Sequence, residues 1–407
     1  MPRIPALCLL LLALGNARAE LAEPVRLDTS TEEPYQVVMD GELSGLSVKV
    51  LECIFGRMQQ PYRIQVTSFS RARQNVSRRL ADGFFSSAPD NQVDGYAQLS
   101  APLLIEKWYW YALDPHMLNR PVWDPRLRIG SVLGSNALTW LESRGISVTQ
   151  RASRLKQLVE LLHHERIDLL LADSSAMNSL VESDAKRRPL LQRFVRYSPM
   201  GVYFSRAFLD EHPDFLKAFN RQVENCAPDA TPLSDGERNY LQQLVKQHLQ
   251  RWAYHPDLLT ALRSGAQLGN SEERIRELDR QWLRERILEE KPLIKRVQRT
   301  QPSRLLVSIA RQYRPLFNEL FVSDRSGQLL AMSRVTSDYW QADEEHFSVA
   351  IALSPGQVHI SDIEYDGSTQ SFQSKASAPL HDPKSGELLG VISLGINIEV
   401  AFGTLLP

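Results

Sequence analysis

The residues most suggestive of chemistry lie in one short stretch, 336–347, with the sequence TSDYWQADEEHF. Two adjacent aromatic side chains, Tyr339 and Trp340, are followed by the carboxylates of Asp343 and Glu344. Catalysis by paired carboxylates requires a defined separation in a cleft, and consecutive acids beside a turn satisfy this poorly. Acids near a helix start are favourable without any ligand. The stretch therefore predicts ligand contacts or a helix start, not an active site.

Other candidates for chemistry are few. His163 and His164 are adjacent on a predicted helix with no acid or cysteine at metal-ligand spacing, which favours a solvated helix face over a metal site. The sequence contains no Gly-x-Ser-x-Gly, His-Glu-x-x-His or P-loop motif. We therefore predict that the protein is not an enzyme and that it uses no cofactor or metal.

The elements that position these residues follow two patterns. From residue 25 to about 225, helical segments such as GLSVKVLECIFGRM alternate with strand segments such as YRIQVT, and repeated units of this kind predict an α/β fold with mostly parallel sheets. The segment 228–239, rich in Pro, Asp and Ser, predicts a boundary. Charged amphipathic helices follow, the last at about 271–290. From residue 318 onward, strand patterns separated by Gly and Asp turns predict an antiparallel sheet.

The first 19 residues have the pattern of a secretory signal peptide, with Arg3 before an apolar run and Ala17-Arg18-Ala19 as a cleavage site. We predict cleavage after Ala19. Losing Arg3 and Arg18 changes 47 basic and 48 acidic residues to 45 and 48, so the net charge falls from −1 to −3. This near-neutrality argues against nucleic acid as a partner. No later stretch reaches the roughly 18 apolar residues of a membrane span, so the sequence predicts a soluble periplasmic protein.

Two cysteines, Cys53 and Cys226, remain once the signal peptide carrying Cys8 is removed. They are too few for a disulfide framework but sufficient for one bridge in an oxidising compartment. A disulfide and a pair of buried free thiols are both consistent with the sequence.

The first region carries an ordered set of motifs: EEPYQVVMDGELSGLSVKVL, SRARQNVSRRLADGFF, YAQLSAPLLIEKWYW, LRIGSVLGSNALTWL and RIDLLLADS. In this order, over about residues 25–225, they resemble the periplasmic solute-binding proteins of the amino-acid-binding class (family 3, type 2). The resemblance implies two α/β lobes over residues 20–227. A cleft between such lobes can close around a small polar ligand.

The same resemblance implies roles for particular residues. Tyr35 would stack on the ligand from the first lobe, and Asp173 would pair with a ligand ammonium group. A helix start in the second lobe would offer free N–H groups to an anion, although Ser and Asn are common helix caps whatever binds there. The predicted cleft residues are Tyr35, Arg71, Ser86, Ser87, Gly134, Ser135, Asn136 and Asp173.

One position departs from the family pattern. Amino-acid binders carry an arginine about seven residues before the serine of a segment SAP, which is Ser100 here, and this arginine holds the ligand carboxylate in a bidentate fork. Here that position is Val93. A standard α-amino acid would lose its strongest contact unless Arg71 or Arg73 replaces the fork. The sequence therefore leaves the identity of the ligand open.

The second region, about residues 254–405, resembles the extracytoplasmic sensor domains called Cache or PDC, which are PAS-like. The resemblance implies an α+β domain in which a long helix packs on an antiparallel sheet and a lid covers a small pocket. LFVSDRSGQLLAMS would form the first hairpin and TSDYWQADEEHF the lid. On this interpretation Tyr339 and Trp340 are pocket or lid aromatics, and Asp343 and Glu344 are ligand contacts or helix-terminal acids.

Two functions fit these resemblances. The favoured one is a periplasmic sensory protein that captures a small polar solute and reports to an inner-membrane sensor, because a pure delivery receptor needs no second pocket. The alternative is a substrate-binding receptor of an ABC transporter for amino acids, amines or organic acids, with a permease as its partner. The expected divisions are a solute-binding domain over 20–227, a linker and helix over 228–253, and a sensor domain over 254–407.

Overall fold

The structure is a computed structural model of the 407-residue chain, described over residues 23–181, 188–226, 230–268, 271–367 and 369–403. The signal peptide expected at residues 1–19 lies outside these ranges. Within them, no helix combines the length and apolarity needed to cross a membrane. The chain forms a first region up to residue 226 and a C-terminal region from residue 230.

The first region is a mixed α/β unit. Its strands are β1 (Val25–Thr29), β2 (Val37–Met39), β3 (Glu42–Ser44), β4 (Tyr62–Val66), β5 (Gly83–Ser87), β6 (Ala97–Leu99), β7 (Leu104–Ala112), β8 (Ile129–Val132), β9 (Gln150–Ala152), β10 (Leu169–Asp173) and β11 (Leu191–Ser205). Its helices are α1 (Leu46–Met58), α2 (Phe69–Ser77), α3 (Pro115–Leu118), α4 (Asn136–Ser143), α5 (Leu155–His163), α6 (Ser174–Val181), α7 (Arg206–Glu211) and α8 (Phe215–Cys226).

One nine-stranded sheet runs through this region in the order β4-β1-β5-β11-β7-β10-β8-β9, with β6 paired to β11. Strands β1, β4 and β5 pair in parallel and form the sheet of lobe 1, and β8, β9 and β10 pair in parallel and form the sheet of lobe 2. The predicted parallel pairing is thus found at these strands, but the sheet as a whole is mixed, because β5, β6 and β10 also pair antiparallel with β7 or β11. The antiparallel strands β7 and β11 join the two lobes. These two strands, termed the hinge strands, are the structural link between the lobes.

Lobe 1 is built around the apolar face of α1 predicted from its spacing. Leu51, Ile54 and Phe55 of α1 are buried in one cluster with Phe219 of α8, and the rings of Phe55 and Phe219 lie 5.8 Å apart. The same two helices are joined covalently, because Cys53 and Cys226 form a disulfide with a Cα–Cα distance of 5.7 Å. Of the two alternatives left open by the sequence, the structure contains the disulfide.

The C-terminal region combines a helical layer with a sheet. Its helices are α9 (Asp235–Ala253), α10 (Pro256–Leu268), α11 (Glu272–Ile287), α12 (Pro292–Gln298), α13 (Gln301–Tyr313), α14 (Glu345–Ala350) and α15 (Ile398–Gly403). Its strands are β12 (Phe317–Asp324), β13 (Leu329–Met332), β14 (His359–Ile360), β15 (Glu364–Asp366), β16 (Ser371–His381) and β17 (Leu388–Asn397).

The sheet of this region has the order β13-β12-β17-β16-β14, with β15 paired to β16, and its pairings are antiparallel, as the Gly and Asp turns predict. One face is apolar and packs against α9, α10 and α13, with Leu320, Ile392 and Leu394 at its centre. Helix α9, which lies within the segment 228–253 expected to hold a linker and a helix, packs as part of the C-terminal region.

The two regions pack closely on each other. Helix α15 lies against the hinge strand β11, where the ring of Phe402 is 5.3 Å from Phe194 and 5.4 Å from Tyr197. Tyr197 is fully buried in the main apolar cluster of the C-terminal region. The hinge of the first region is thus part of the core of the second.

Candidate functional site

The cleft of the first region begins with Tyr35, which is held by the start of α1. The amide of Ser47 donates to the Tyr35 carbonyl at 3.1 Å. Gly45 permits this approach, because its φ is +120° and a Cβ there would lie 2.3 Å from the Tyr35 carbonyl oxygen. The Tyr35 hydroxyl then donates to Oδ2 of Asp173 at 3.0 Å across the cleft. Two predicted cleft residues, one from each lobe, are therefore in direct contact.

Asp173 lies at the end of β10 and is buried. Its carboxylate accepts hydrogen bonds from the backbone amides of Lys107 at 2.8 Å and Ala176 at 3.0 Å, in addition to the Tyr35 hydroxyl. The two amides are fixed parts of β7 and of the start of α6, whereas the hydroxyl is on a side chain. An ammonium group entering the cleft can therefore reach Asp173 by replacing the Tyr35 hydroxyl.

A second contact between the lobes involves Ser86 and Asn136. Ser86, one residue before the end of β5, has a φ of +63°, a conformation that costs energy in a non-glycine residue and is concentrated at functional sites. Asn136 opens α4; its Nδ2 donates to the Ser86 carbonyl at 2.9 Å and its Oδ1 accepts from the Ala88 amide at 3.0 Å. The Ser86 hydroxyl also lies 2.8 Å from that of Ser47. The lobes are closed on each other by their own polar groups.

The remaining predicted residues of the helix start have structural roles. The Ser135 hydroxyl accepts from the Leu138 amide at 3.1 Å, so it caps α4. Gly134 has a φ of +79°, the left-handed turn that precedes the cap. These observations fit the capping alternative for Ser135, while Asn136 is the residue that reaches the opposite lobe.

Ser87 stands between Ser86 and Ala88, the two residues that bond to Asn136, and Arg71 lies on the first turn of α2. The Ser87 hydroxyl is buried and donates to the neighbouring Ala88 carbonyl at 3.1 Å. Arg71 is exposed on α2, and its backbone amide donates to the Ser68 hydroxyl that caps the helix. Both assignments stay predictions.

Val93 occupies the position of the missing fork and is fully buried in an apolar cluster of lobe 1. Of the two possible substitutes, Arg73 is paired with Asp90 at 2.6 Å and Arg71 is exposed. The valine therefore leaves this position without a guanidinium, and the guanidinium of Arg73 is engaged by Asp90.

Two carboxylates of the cleft were not identified from the sequence. Glu106, on β7, is 2% exposed and accepts from the Trp108 indole at 2.6 Å. Burial and the charges of Glu32 and Asp173 raise its pKa well above the ordinary value. Burial of the Glu32 carboxyl, together with the charge of Asp173, raises the pKa of Glu32 to about 7. Glu106 could have been identified from the sequence, because it is an acidic residue inside the otherwise mostly apolar strand segment LIEKWYWYA.

A second candidate site is a cavity of 110 Å³ in the C-terminal region. It lies over the face of the sheet opposite the apolar one, beneath the predicted lid. The residues that line it are Glu224, Glu319, Phe321, Thr336, Ser337, Gln341, Ser361, Glu364, Tyr365, Asp366, Gln373 and Lys375. Polar and charged side chains dominate this set, in contrast to a packed core.

The lid contributes to this cavity through residues other than those predicted. Tyr339 is buried against Trp282 of α11, with ring centroids 5.6 Å apart. Trp340 is half-buried, with the Arg276 guanidinium 4.6 Å from its ring centroid. The lid residues that line the cavity are Thr336, Ser337 and Gln341.

The lid acids lie at its edge. Asp343 is exposed, and Glu344 occupies the N-cap position of α14 without a side-chain capping bond. Of the two alternatives for Glu344, a ligand contact or an acid at a helix start, this position matches the second. Among the residues that the structure describes, no group of three or more His, Cys, Asp and Glu side chains is arranged to hold a metal ion.

No protein-family model and no curated protein sequence matches the chain. An ancestral arginine-binding protein bound to arginine is similar in structure at 13% identity and a TM-score of 0.43, covering 50% of this chain and 92% of that one. A histidine kinase sensor domain with similarity to periplasmic binding proteins covers 50% and 92% at 11% identity and a TM-score of 0.43.

A substrate-binding protein of an ABC uptake transporter from Streptococcus pneumoniae, with bound histidine, covers 54% of this chain and 91% of that one at 12% identity and a TM-score of 0.41. These structures are thus similar to about half of the chain. TM-scores below 0.5 assign no ligand or partner to it.

Proposed function

We propose that the protein is a periplasmic sensory binding protein whose first region captures a small cationic solute between its lobes and whose C-terminal region reports this event to a membrane partner. The observation that carries the proposal is the pair of contacts between the lobes, Tyr35 to Asp173 and Asn136 to Ser86. A cleft closed by polar groups from both lobes is suited to a ligand that exchanges with those groups.

The charge of the cleft supports a cationic ligand. Glu32, Glu106 and Asp173 influence one another electrostatically, and burial adds to the cost of ionising them. A buried cation relieves such repulsion, whereas an anion increases it. The ligand class proposed for the cleft is therefore a small amine or a guanidinium compound, with Asp173 as its direct partner.

The packing of the hinge supports sensing rather than simple delivery. Lys107, on β7, gives its backbone amide to Asp173 at 2.8 Å and its ammonium group to Glu237 at 2.6 Å. Glu237 forms the capping box of α9 with Ser234 and accepts from the Tyr197 hydroxyl at 3.0 Å. One residue therefore contacts both the cleft carboxylate and the first helix of the C-terminal region. Lobe movement that displaces β7 also displaces the start of α9.

Ligand capture is tested by a thermal-shift screen of the chain lacking residues 1–19 against amines, amino acids and organic acids. A ligand at 100 times its dissociation constant adds about 2.7 kcal/mol to the free energy of unfolding. We expect amines to give the shift and Asp173→Asn to abolish it. Asp168→Asn is the matched control, because Asp168 pairs with the half-exposed Arg128 away from the cleft. An unchanged shift in Asp173→Asn would contradict the proposal.

Reporting is tested separately with Lys107→Met. This variant keeps the backbone amide that serves the cleft and loses the ammonium group that serves Glu237. We expect it to bind the ligand normally, while the ligand-induced change in hydrogen exchange at residues 234–238 disappears. Equal exchange changes in the variant and the wild type would favour a delivery receptor for a permease instead.

A further inference from the structure

A further cavity, of 210 Å³, lies between the two regions. It is lined by β6, β7 and β11 of the first region and by β16, β17 and α15 of the C-terminal region, and we term it the interregion cavity. None of its described lining residues lines the cleft between the lobes or the cavity beneath the lid. Ligand sites occur preferentially at interfaces between domains, so this cavity is a candidate site of its own.

The interregion cavity lies at a particular point of the hinge. Strand β11 pairs with β7 up to Met200 and with β5 and β6 from Gly201 onward, so it passes here from the sheet of lobe 2 to that of lobe 1. Pro199 and Gly201, on either side of this change, both line the cavity. Pro199 is paired with Ile105 of β7, and the start of the β5 pairing at Gly201 leaves its other side open, a position that suits a residue without an N–H donor. An occupant of the cavity therefore contacts the junction of the two lobes.

The wall from the first region is mostly apolar. Three prolines, which carry no backbone N–H, and two aliphatic residues form it: Pro89, Pro102, Pro199, Leu99 and Ile105. The hydroxyl of Ser100, on the same side, already donates to the Ala101 carbonyl at 2.7 Å and accepts from the Val202 amide at 3.0 Å. From the other region, Phe372 adds an aromatic ring. Removing such surface from water is favourable, and these walls suit an apolar ring.

The rest of the wall from the C-terminal region is polar and consists of Gln370, Ser371, Asn397 and Glu399. Glu399 is the one ionisable side chain among the described residues of the lining. Its Oε1 accepts from the Arg196 guanidinium at 2.8 Å. A carboxylate has about four acceptor sites on its two oxygens, so Oε2 can accept from a further donor.

The ion pair at this end of the cavity selects the charge of an occupant. The Arg196 guanidinium is held in place, because its Nε donates to the Tyr197 carbonyl at 3.2 Å and its central carbon lies 5.7 Å from the ring centroid of Trp108. The pair with Glu399 carries no net charge. A cation near Glu399 is therefore repelled by Arg196, and an anion near Arg196 is repelled by Glu399. A neutral hydrogen-bond donor has neither cost.

We propose that the interregion cavity binds a small neutral aromatic molecule with one N–H or O–H donor, the class of indoles and phenols. Its ring packs between the proline and aliphatic wall and Phe372, and its donor bonds to Oε2 of Glu399. A water molecule needs about 10–15 Å³ of such space, so 210 Å³ accommodates roughly 14 to 21 non-hydrogen atoms, enough for one or two fused rings. Because its walls come from both regions, an occupied cavity stabilises their packing at the hinge.

The proposal is tested by calorimetric titration of indole into the chain lacking residues 1–19. 1-Methylindole is the matched control ligand, because it keeps the ring system and the neutral charge but has no N–H donor. Phenol and its methyl ether, anisole, form a second matched pair. We expect saturable binding of indole or phenol and roughly tenfold weaker binding of the methylated partner, the effect of losing a hydrogen bond to a charged group.

Variants locate the site. Leu99→Trp fills the cavity and should abolish binding, whereas Leu80→Trp, the same exchange at a residue that is 62% exposed in lobe 1, should leave it unchanged. In Glu399→Gln the preference for indole over 1-methylindole should shrink, because a neutral amide oxygen is a weaker acceptor than a carboxylate.

Melting curves verify that each variant folds. Pro89→Trp, at an exposed residue of the wall, obstructs the cavity again if Leu99→Trp does not fold. The proposal would be overturned by three results: no saturable binding of indole or phenol at millimolar concentration, equal binding of the methylated ligands, or unchanged binding in the folded tryptophan variant of the wall.

Discussion

The cleft of the first region and the cavity of the C-terminal region both contain buried carboxylates. The two places differ in how their buried polar groups are hydrogen-bonded. In the cleft, Asp173 accepts from two amides and from the Tyr35 hydroxyl, so the lobes close on their own polar groups. In the cavity, the Gln373 oxygen and the Tyr365 hydroxyl have no partner among the described residues. A ligand of the cleft must displace an existing contact, whereas a ligand of the cavity enters a preformed space. The first arrangement suits a switch, because binding and lobe movement are linked.

The largest expected effect concerns the lid over the cavity. Tyr339 is 3% exposed and packs on Trp282, so Tyr339→Ala should cost about 3–5 kcal/mol of unfolding free energy, as for other large buried aromatics. Trp340 is half-buried and held by Arg276 and by a hydrogen bond to the Ser326 carbonyl. Trp340→Ala should therefore cost clearly less. Chemical denaturation of both variants measures the two losses.

Comparing Tyr339→Ala with Trp340→Ala tests which of the two lid aromatics faces the core. A larger loss for Trp340→Ala than for Tyr339→Ala would contradict the packing described here. Because the hinge strand β11 shares a core with the C-terminal region, we expect each variant to shift the unfolding of the whole chain. A shift confined to the C-terminal region would show that the interface is weaker than its packing indicates.

The second prediction contrasts a buried acid of the cavity with an exposed one. Burial and the charge of Asp366 raise the pKa of Glu319 from an ordinary 4.5 to about 7. Between these values the native state holds a proton that the unfolded chain has lost, so the native state loses stability as pH rises. Glu319→Gln cannot titrate. Relative to the wild type, it should gain about 2–3 kcal/mol between pH 5 and pH 8.

Denaturation of both proteins at the two pH values measures this difference. The comparison cancels other titrating groups, including His346, whose buried imidazole has its pKa lowered to about 2 and acts in the opposite direction. Glu387→Gln, on an exposed acid, should show no such gain. A flat difference between Glu319→Gln and the wild type would mean that the Glu319 carboxyl is better solvated than its position in the cavity implies.

The contrast between the two sites also explains what the sequence could predict. Alternating helical and strand patterns were sufficient for the α/β region and the antiparallel sheet, and two cysteines left the disulfide as one of two options. Glu106 and Glu32 were missed because they come to Asp173 from β7 and from the segment between β1 and β2, both distant in sequence from β10. The cavity was missed because its floor depends on the register of β12, β16 and β17, and part of its wall comes from α8.

The third prediction tests whether the cleft is held closed by its own contacts. Tyr35→Phe keeps the ring and removes the hydroxyl that donates to Asp173. A hydrogen bond to a charged group contributes about 1.5–3 kcal/mol, so the free protein should lose up to that amount of stability. A cationic ligand no longer has to displace the hydroxyl and should bind several-fold more tightly. Weaker binding would instead make the hydroxyl a direct ligand contact.

The smallest expected effect is the pH dependence of binding in the cleft. Burial and the charge of Asp173 raise the pKa of Glu32 to about 7, so Glu32 is mostly protonated at pH 6 and mostly ionised at pH 8. A cation binds better to the ionised form, and affinity should therefore rise by about tenfold over this interval. Titrations of an amine identified in the screen, at pH 6, 7 and 8, measure the change. In Glu32→Gln the rise should be lost while binding persists, because Asp173 remains the direct partner. A rise that survives in Glu32→Gln would assign the titration to Glu106 or Asp173, and a fall with increasing pH would exclude a cationic ligand from this cleft.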